Sequence, residues 1–161
     1  MSAISADWIN PFITAATEVL DEILGVKPKL SKPYVKQSDE PLFDISGLIG
    51  LTGEAVGSIA FSLPKQTALK MVSKFIGEEV LGLSADTRDA IGELTNIMAG
   101  RVKKIFYEKN IRMKISVPNI IVGKDITLSS VKGIPTIVIP FESELGNFAI
   151  QVSIKKAEKE G

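Results

Sequence analysis

Ser84-Ala-Asp-Thr-Arg-Asp89-Ala-Ile-Gly-Glu93-Leu-Thr-Asn96-Ile-Met-Ala-Gly100-Arg-Val-Lys-Lys-Ile-Phe-Tyr-Glu-Lys109 carries the longest helical pattern in the chain. What flanks it decides the fold. The pattern predicts a helix over about 85–109, opened by Ser84 or Asp86 as cap. Its last turns, from Lys103-Lys104 to Lys109, are basic, as a helix C-terminus favours. At about 100° per residue, Ile91, Leu94, Met98, Val102 and Ile105 share one side, which reads as core. Asp89, Glu93, Asn96 and Gly100 fall within an arc of about 40–60° on the other side.

Upstream, Phe43–Leu51 and Ala55–Leu63 read as two strands joined at Thr52-Gly53-Glu54. Gly47, Gly50 and Gly57 within them point to bulges or close backbone packing. No GxxxxGK followed by Ser or Thr makes a phosphate loop of them. Pro64 starts a helix over about 64–76, closed by Gly77. Further back, a helix is expected over 7–24, capped by Asp7 or Asn10, with Pro11 in its first turn and Gly25 at its end. Trp8, Phe12, Ala15, Val19 and Ile23 would form its buried face. Residues 26–41, with Pro28, Pro33 and Pro41, read as an extended connector with one edge strand at Tyr34-Val35. Downstream, strands are expected near 113–122, 125–131, 135–142 and 147–154. Alternation is clear in Ile137/Ile139/Phe141 and Phe148/Ile150/Val152/Ile154. The tail from Lys155 to Gly161 is charged and expected to fray. Strands, then helices, then strands give an α+β fold. It is a twisted, mainly antiparallel sheet with long helices packed on one face, in a single domain over 1–161.

The 161 residues carry 19 Lys plus Arg against 19 Asp plus Glu, and 45% are hydrophobic. A net charge of zero and few aromatics argue against nucleic acid or an anionic membrane as partner. There is no cysteine and no histidine. That excludes thiol catalysis, thiolate metal sites and the commonest general base. An enzyme built from this chain must work with carboxylates, amides, hydroxyls or lysines, or complete a site that a partner brings. No run reaches the roughly 18 apolar residues of a membrane span. Met1–Asp7 lacks the basic and apolar regions of a signal peptide, so a soluble cytoplasmic protein is expected.

The outer face of the long helix has two readings. It is an ordinary solvated face, or it is a site. Asn is a poor helix former, and Gly92 and Gly100 each cost roughly 1 kcal/mol relative to Ala. Glu93 and Asn96, three apart, are surface neighbours. An amide is too weak a base to take a proton, but it can hold a water in line with an electrophile. Glu93 can pair with a partner's lysine, and Gly100 lets a partner come close. Asp89 and Glu93 also stand at a spacing open to glycosidase-like acid/base work, though nothing else indicates a sugar cleft. As metal ligands the two alone would be too few.

The spacing Asp89, Glu93, Asn96 resembles the signature of the CheC/CheX/FliY chemotaxis phosphatases, an Asp or Ser, then Glu four on, then Asn three further. The chain looks like the CheX branch over most of its length. The likeness extends to Asn10-Pro-Phe, Ile45-Ser-Gly-Leu-Ile-Gly-Leu-Thr-Gly-Glu54, Ile76-Gly-Glu-Glu, Pro118 to Val122-Gly, and Ile139-Pro-Phe-Glu142. The resemblance implies a CheC/CheX-like fold and hydrolysis of the aspartyl phosphate of a CheY-type response regulator. Mg²⁺ would then sit in the regulator's receiver domain, with no cofactor on this chain. Asn96 would orient the water, and Glu93 would dock the regulator's lysine. Asp89 and Gly100 would meet the partner. Related branches carry a second motif on the first helix. Here Thr14-Ala-Ala-Thr-Glu18-Val-Leu-Asp21 has Asp where Asn is needed, so one active helix per chain is expected. The resemblance to the CheX branch implies a homodimer, which the alternating strands permit by offering an edge. The alternatives are a non-catalytic receiver-binding adaptor and a purely structural dimer module.

Overall fold

The computed structural model describes residues 6–37, 39–129 and 133–158. Along them run α1 (Ala6–Leu24), β1 (Lys29–Leu30), β2 (Tyr34–Val35), β3 (Ile45–Gly53), β4 (Ala55–Leu63) and α2 (Lys65–Ile76). Then follow α3 (Ala85–Glu108), β5 (Met113–Ile115), β6 (Asn119–Val122), β7 (Ile137–Glu142) and β8 (Phe148–Lys156). The sheet has eight strands in the order β1-β7-β8-β4-β3-β5, with β2 also on β7 and β6 also on β3. Every pairing is antiparallel. This is the α+β architecture expected.

Alternation fixes which side the helices cover. In β3 and β4, paired as Ile49↔Ile59 around a tip at Glu54, the odd-numbered residues Ile45, Ile49, Leu51, Ile59, Phe61 and Leu63 enter the core. They meet Phe12, Ala16 and Leu20 of α1, Met71 and Val72 of α2, and Ile91, Leu94, Met98 and Val102 of α3. Burying side chains of this size contributes about 1.5–3 kcal/mol each, so the helices are held to this one face of the sheet. The opposite face carries small or polar residues. Ser46 and Ser62 share a hydrogen bond of 2.8 Å, and Thr136 meets Ser153 at 2.7 Å. These are buried as well, because the connector leading to β3 lies against that face.

Several details depart from the sequence pattern. Helix α1 already runs from Ala6, so Asp7 and Asn10 are interior rather than caps. Pro11 is likewise buried within the helix, where its missing N–H leaves the Asp7 carbonyl without its usual donor. Ile23 is 40% exposed, and Leu20 and Leu24 turn to the core in its place. Gly25 does end α1, with a φ of 66° that lets Val26 N–H reach the Leu20 carbonyl. The stretch 113–122 is two strands, because Val117-Pro118 interrupts the ladder on β3. Ile126–Ser129 is not a strand, and residues 130 and 131 lie outside the described ones. Its backbone serves the connector: the Ile126 carbonyl accepts from Leu42 N–H, and the Leu128 carbonyl from the Lys36 ammonium. Lys155 and Lys156 do not fray. They pair with Val56 and Ala55 on β4, keeping their charges outward. The two-residue β1, pairing Lys29 with Glu142, had no periodicity to announce it.

Candidate functional site

The motif helix starts where Ser84 caps it, its hydroxyl accepting the Thr87 N–H at 3.3 Å. About three turns beyond the cap the helix settles onto the sheet. A Cβ on Gly47 of β3 would lie 2.0 Å from Thr95 Oγ1. Only glycine allows that approach, so the strand backbone and the turn holding Asn96 are in direct contact. Thr95 itself is fully buried, its hydroxyl donating to the Ile91 carbonyl at 2.7 Å. Glu93 and Asn96 are thus carried on the turn whose inner side is fixed against β3.

Two walls flank that turn. On one side is the β5–β6 connection. A Cβ on Gly92 would meet Ile120 at 3.5 Å and Pro118 at 3.7 Å, which is ordinary contact. Next to Pro118, Val117 is 79% exposed. On the other side is α1. Arg101 of α3 reaches across to Glu18 at 3.1 Å and to Glu22 at 2.5 Å. The Arg101 hydrogen bond holds the Glu22 carboxyl below its ordinary value, and the same bond raises Arg101. Glu18, the acid that stood where a second motif was weighed, is therefore engaged in strapping α1 to α3.

Between these walls, Asp89 and Glu93 are exposed, and Asn96 and Gly100 are half-buried. The side chains of Asp89, Glu93 and Asn96 make no hydrogen bond or ion pair with any described residue. The Cβ atoms of residues three apart on a helix stand about 5–6 Å from one another. A carboxylate and an amide are therefore offered side by side to whatever docks. A Cβ on Gly100 would meet nothing within 4 Å. The chain's own packing does not require glycine there. Asp89, Glu93, Asn96 and Gly100 are thus brought onto one stripe, as the helical spacing predicts.

The sequence did not show what lies at the end of that stripe. An open groove of about 790 Å³ runs between α3 and the strands beside it. Gly100, Lys103, Lys104 and Tyr107 form its α3 wall, with Arg112, Met113 and Lys114 opposite. Lys103 and Lys104 were expected to answer the helix dipole. They precede the last turn, which holds no basic residue, and line this groove instead. Their helical angle, shared with Asn96 and Gly100, was the available signal. Among the described residues no group of three or more of His, Cys, Asp and Glu is arranged to hold a metal ion. No helix among them is long and apolar enough to cross a membrane.

Comparison with known proteins bears on this geometry. The family model for the chemotaxis phosphatase CheX matches residues 45–142. The CheY-P phosphatase CheX of Thermotoga maritima is 31% identical over 148 residues, covering 91% of this chain and 95% of that one. Among solved structures, chemotaxis protein CheX of Desulfovibrio desulfuricans is 33% identical with a TM-score of 0.85, over 92% of this chain and 99% of the other. The CheX of Borrelia burgdorferi, solved as a CheX–CheY–BeF3–Mg²⁺ complex, is 28% identical with a TM-score of 0.78, over 94% and 100%.

Proposed function

The chain belongs to the CheX family of chemotaxis phosphatases, and from that premise we propose that it hydrolyses the aspartyl phosphate of a CheY-type response regulator. In this reading Asn96 orients the attacking water and Glu93 pairs with a lysine in the regulator's active site. The observation that carries it is the pair itself. Glu93 and Asn96 stand together on a turn seated against β3 at Gly47, with no partner among the described residues to satisfy them.

The chemistry follows from what an amide can do. Water attacks phosphorus in line, the bond between phosphorus and the aspartyl oxygen breaks, and aspartate and inorganic phosphate leave. Asn96 takes no proton. Its carbonyl oxygen accepts a hydrogen bond from the water and so points the water's lone pair at phosphorus. Orienting a reactant this way is worth several kcal/mol of barrier. Glu93 fixes the register through an ion pair that docking removes from bulk water. Mg²⁺ belongs to the regulator's side of the complex. The Borrelia relative, solved together with CheY, BeF3 and Mg²⁺, supports a CheY-type partner. Asp89 and Gly100 lie under the partner, Gly100 by admitting its surface.

A homodimer is part of the same proposal, with one active stripe per chain. A closed two-fold pair would supply two active stripes, one from each copy. Sedimentation tests the stoichiometry.

The functional test is phosphate release from a phosphorylated CheY-type receiver with Mg²⁺, with and without this protein. Acceleration supports the proposal. Binding without acceleration makes the chain an adaptor for that receiver.

A further inference from the structure

Lys103, Lys104 and Tyr107 continue the stripe of Asp89, Glu93, Asn96 and Gly100 along α3. At about 100° per residue all seven lie within an arc of about 100°. Tyr107 stands about 16 Å beyond Asn96 at 1.5 Å per residue. The stripe is therefore polar end to end: carboxylates toward the start of the helix, ammonium groups toward its finish.

The groove makes this more than a run of surface lysines. Gly100 belongs both to the motif stripe and to the groove wall, so the two surfaces are continuous. Arg112 and Lys114 add two cations from the far side, and the Arg112 guanidinium stands 5.8 Å from the centre of the Tyr107 ring. The one acid lining it among the described residues, Glu54, accepts the Arg112 backbone N–H at 3.0 Å and offsets one of the four cations. None of Lys103, Lys104 and Lys114 has an ion-pair partner within contact distance among the described residues, although the Lys104 charge, after Arg101, also helps hold Glu22 below its ordinary value. In a chain of 19 positive and 19 negative side chains, this is a local excess.

We infer that the groove beside Gly100, rimmed by Lys103, Lys104, Arg112 and Lys114, docks an acidic segment of the same receiver whose phosphate Asn96 addresses. The inference rests on the phosphatase reading and extends its contact surface. Three features favour a protein segment over a free anion. The groove is open and far larger than a phosphate. Met113 and Tyr107 give it apolar ground. A partner seated on Glu93 and Asn96 must also pass over Gly100, whose missing side chain leaves that passage clear. The receiver should then present a cation to Glu93 and anions about 15 Å further along α3, at Lys103 and Lys104. Such rim charges act on encounter rate and salt dependence more than on the chemical step.

The experiment is steady-state phosphate release from the phosphorylated receiver at several salt concentrations. The proteins are the wild type, Lys103→Glu/Lys104→Glu, Lys103→Gln/Lys104→Gln, and Lys29→Glu/Lys32→Glu. The last pair lies at or beside β1, on the opposite edge of the sheet, and corrects for net charge. Reversal at 103 and 104 should raise KM about tenfold and flatten its salt dependence. Neutralisation should fall between, and kcat and the melting temperature should stay within about twofold and a degree or two of wild type. A KM that rises no more than in the Lys29/Lys32 variant overturns the inference. The wild type separates the two levels. If it accelerates nothing, the phosphatase reading falls and the groove's role with it. If it is active and KM ignores the reversal, only the groove's role falls.

Discussion

Gly47→Ala tests the link between sheet and site. The added Cβ would stand 2.0 Å from Thr95 Oγ1, 2.8 Å from its Cβ and 3.0 Å from its Cγ2. Ordinary contact begins near 3.4 Å, so in a close-packed interior α3 must retreat by roughly 1 Å or more. Thr95 cannot rotate away cheaply: its hydroxyl is bonded to the Ile91 carbonyl, and Ile91 and Leu94 beside it are fully buried. Overpacking of this kind costs about 1–3 kcal/mol. For a domain of this length that lowers the melting temperature by roughly 3–10 °C. The functional cost should be larger in proportion, because Asn96 follows Thr95. A shift of about 1 Å in a positioning group can remove about 100-fold of rate. The assay pairs thermal melting with single-turnover phosphate release by the variant that remains folded. Gly47→Ala/Thr95→Ala removes Oγ1 and Cγ2 but not Cβ, and should recover part of both losses. Unchanged melting and unchanged turnover would refute the reasoning. Lost stability with full turnover would show that the seat on β3 does not set Asn96.

Gly100→Ala should behave oppositely. With nothing within 4 Å of the new Cβ, it should stabilise the helix by about 0.5–1 kcal/mol while weakening receiver binding, as read by melting and by titration. A lowered melting temperature would contradict the open space at that position. Glu93→Ala should leave stability unchanged and cost about 2 kcal/mol of receiver affinity, roughly 30-fold, measured by titration with the phosphorylated receiver. Arg101→Met probes the strap. Arg101 holds Glu22 below its ordinary 4.5, so the strap's stabilisation is complete above that pH and is lost as pH falls through the depressed value. Thermal melts from neutral to acid pH should show a lower midpoint at neutral pH and a shallower acid decline in the variant.

The site was legible because helical spacing is strict. Asp89, Glu93, Asn96 and Gly100 could be placed on one stripe from 3.6-residue periodicity, and Ile91, Leu94, Met98 and Val102 on its reverse, because a long amphipathic helix leaves little freedom. The hairpin of β3 and β4 was legible for a similar reason, with alternating residues on either side of a tip at Gly53-Glu54. What escaped was set by tertiary contacts. β1 is too short to carry a period. Ile126–Ser129 has strand-like residues, yet its carbonyls go to Leu42 and Lys36. Lys155 and Lys156 look like a solvated tail but complete the ladder on β4. Gly47 read as close packing, and only the structure supplies Thr95 as the atom it faces. The groove needed the fold, since Lys103 and Arg112 meet across it from separate elements.

The central claim is that Asn96 acts on the chemical step. It is met most directly by measuring single-turnover hydrolysis and receiver affinity together for wild type and Asn96→Ala. The account predicts a rate lowered about 100-fold or more with affinity changed by about twofold at most. A variant that hydrolyses as fast as wild type, or loses rate only in step with binding, contradicts it.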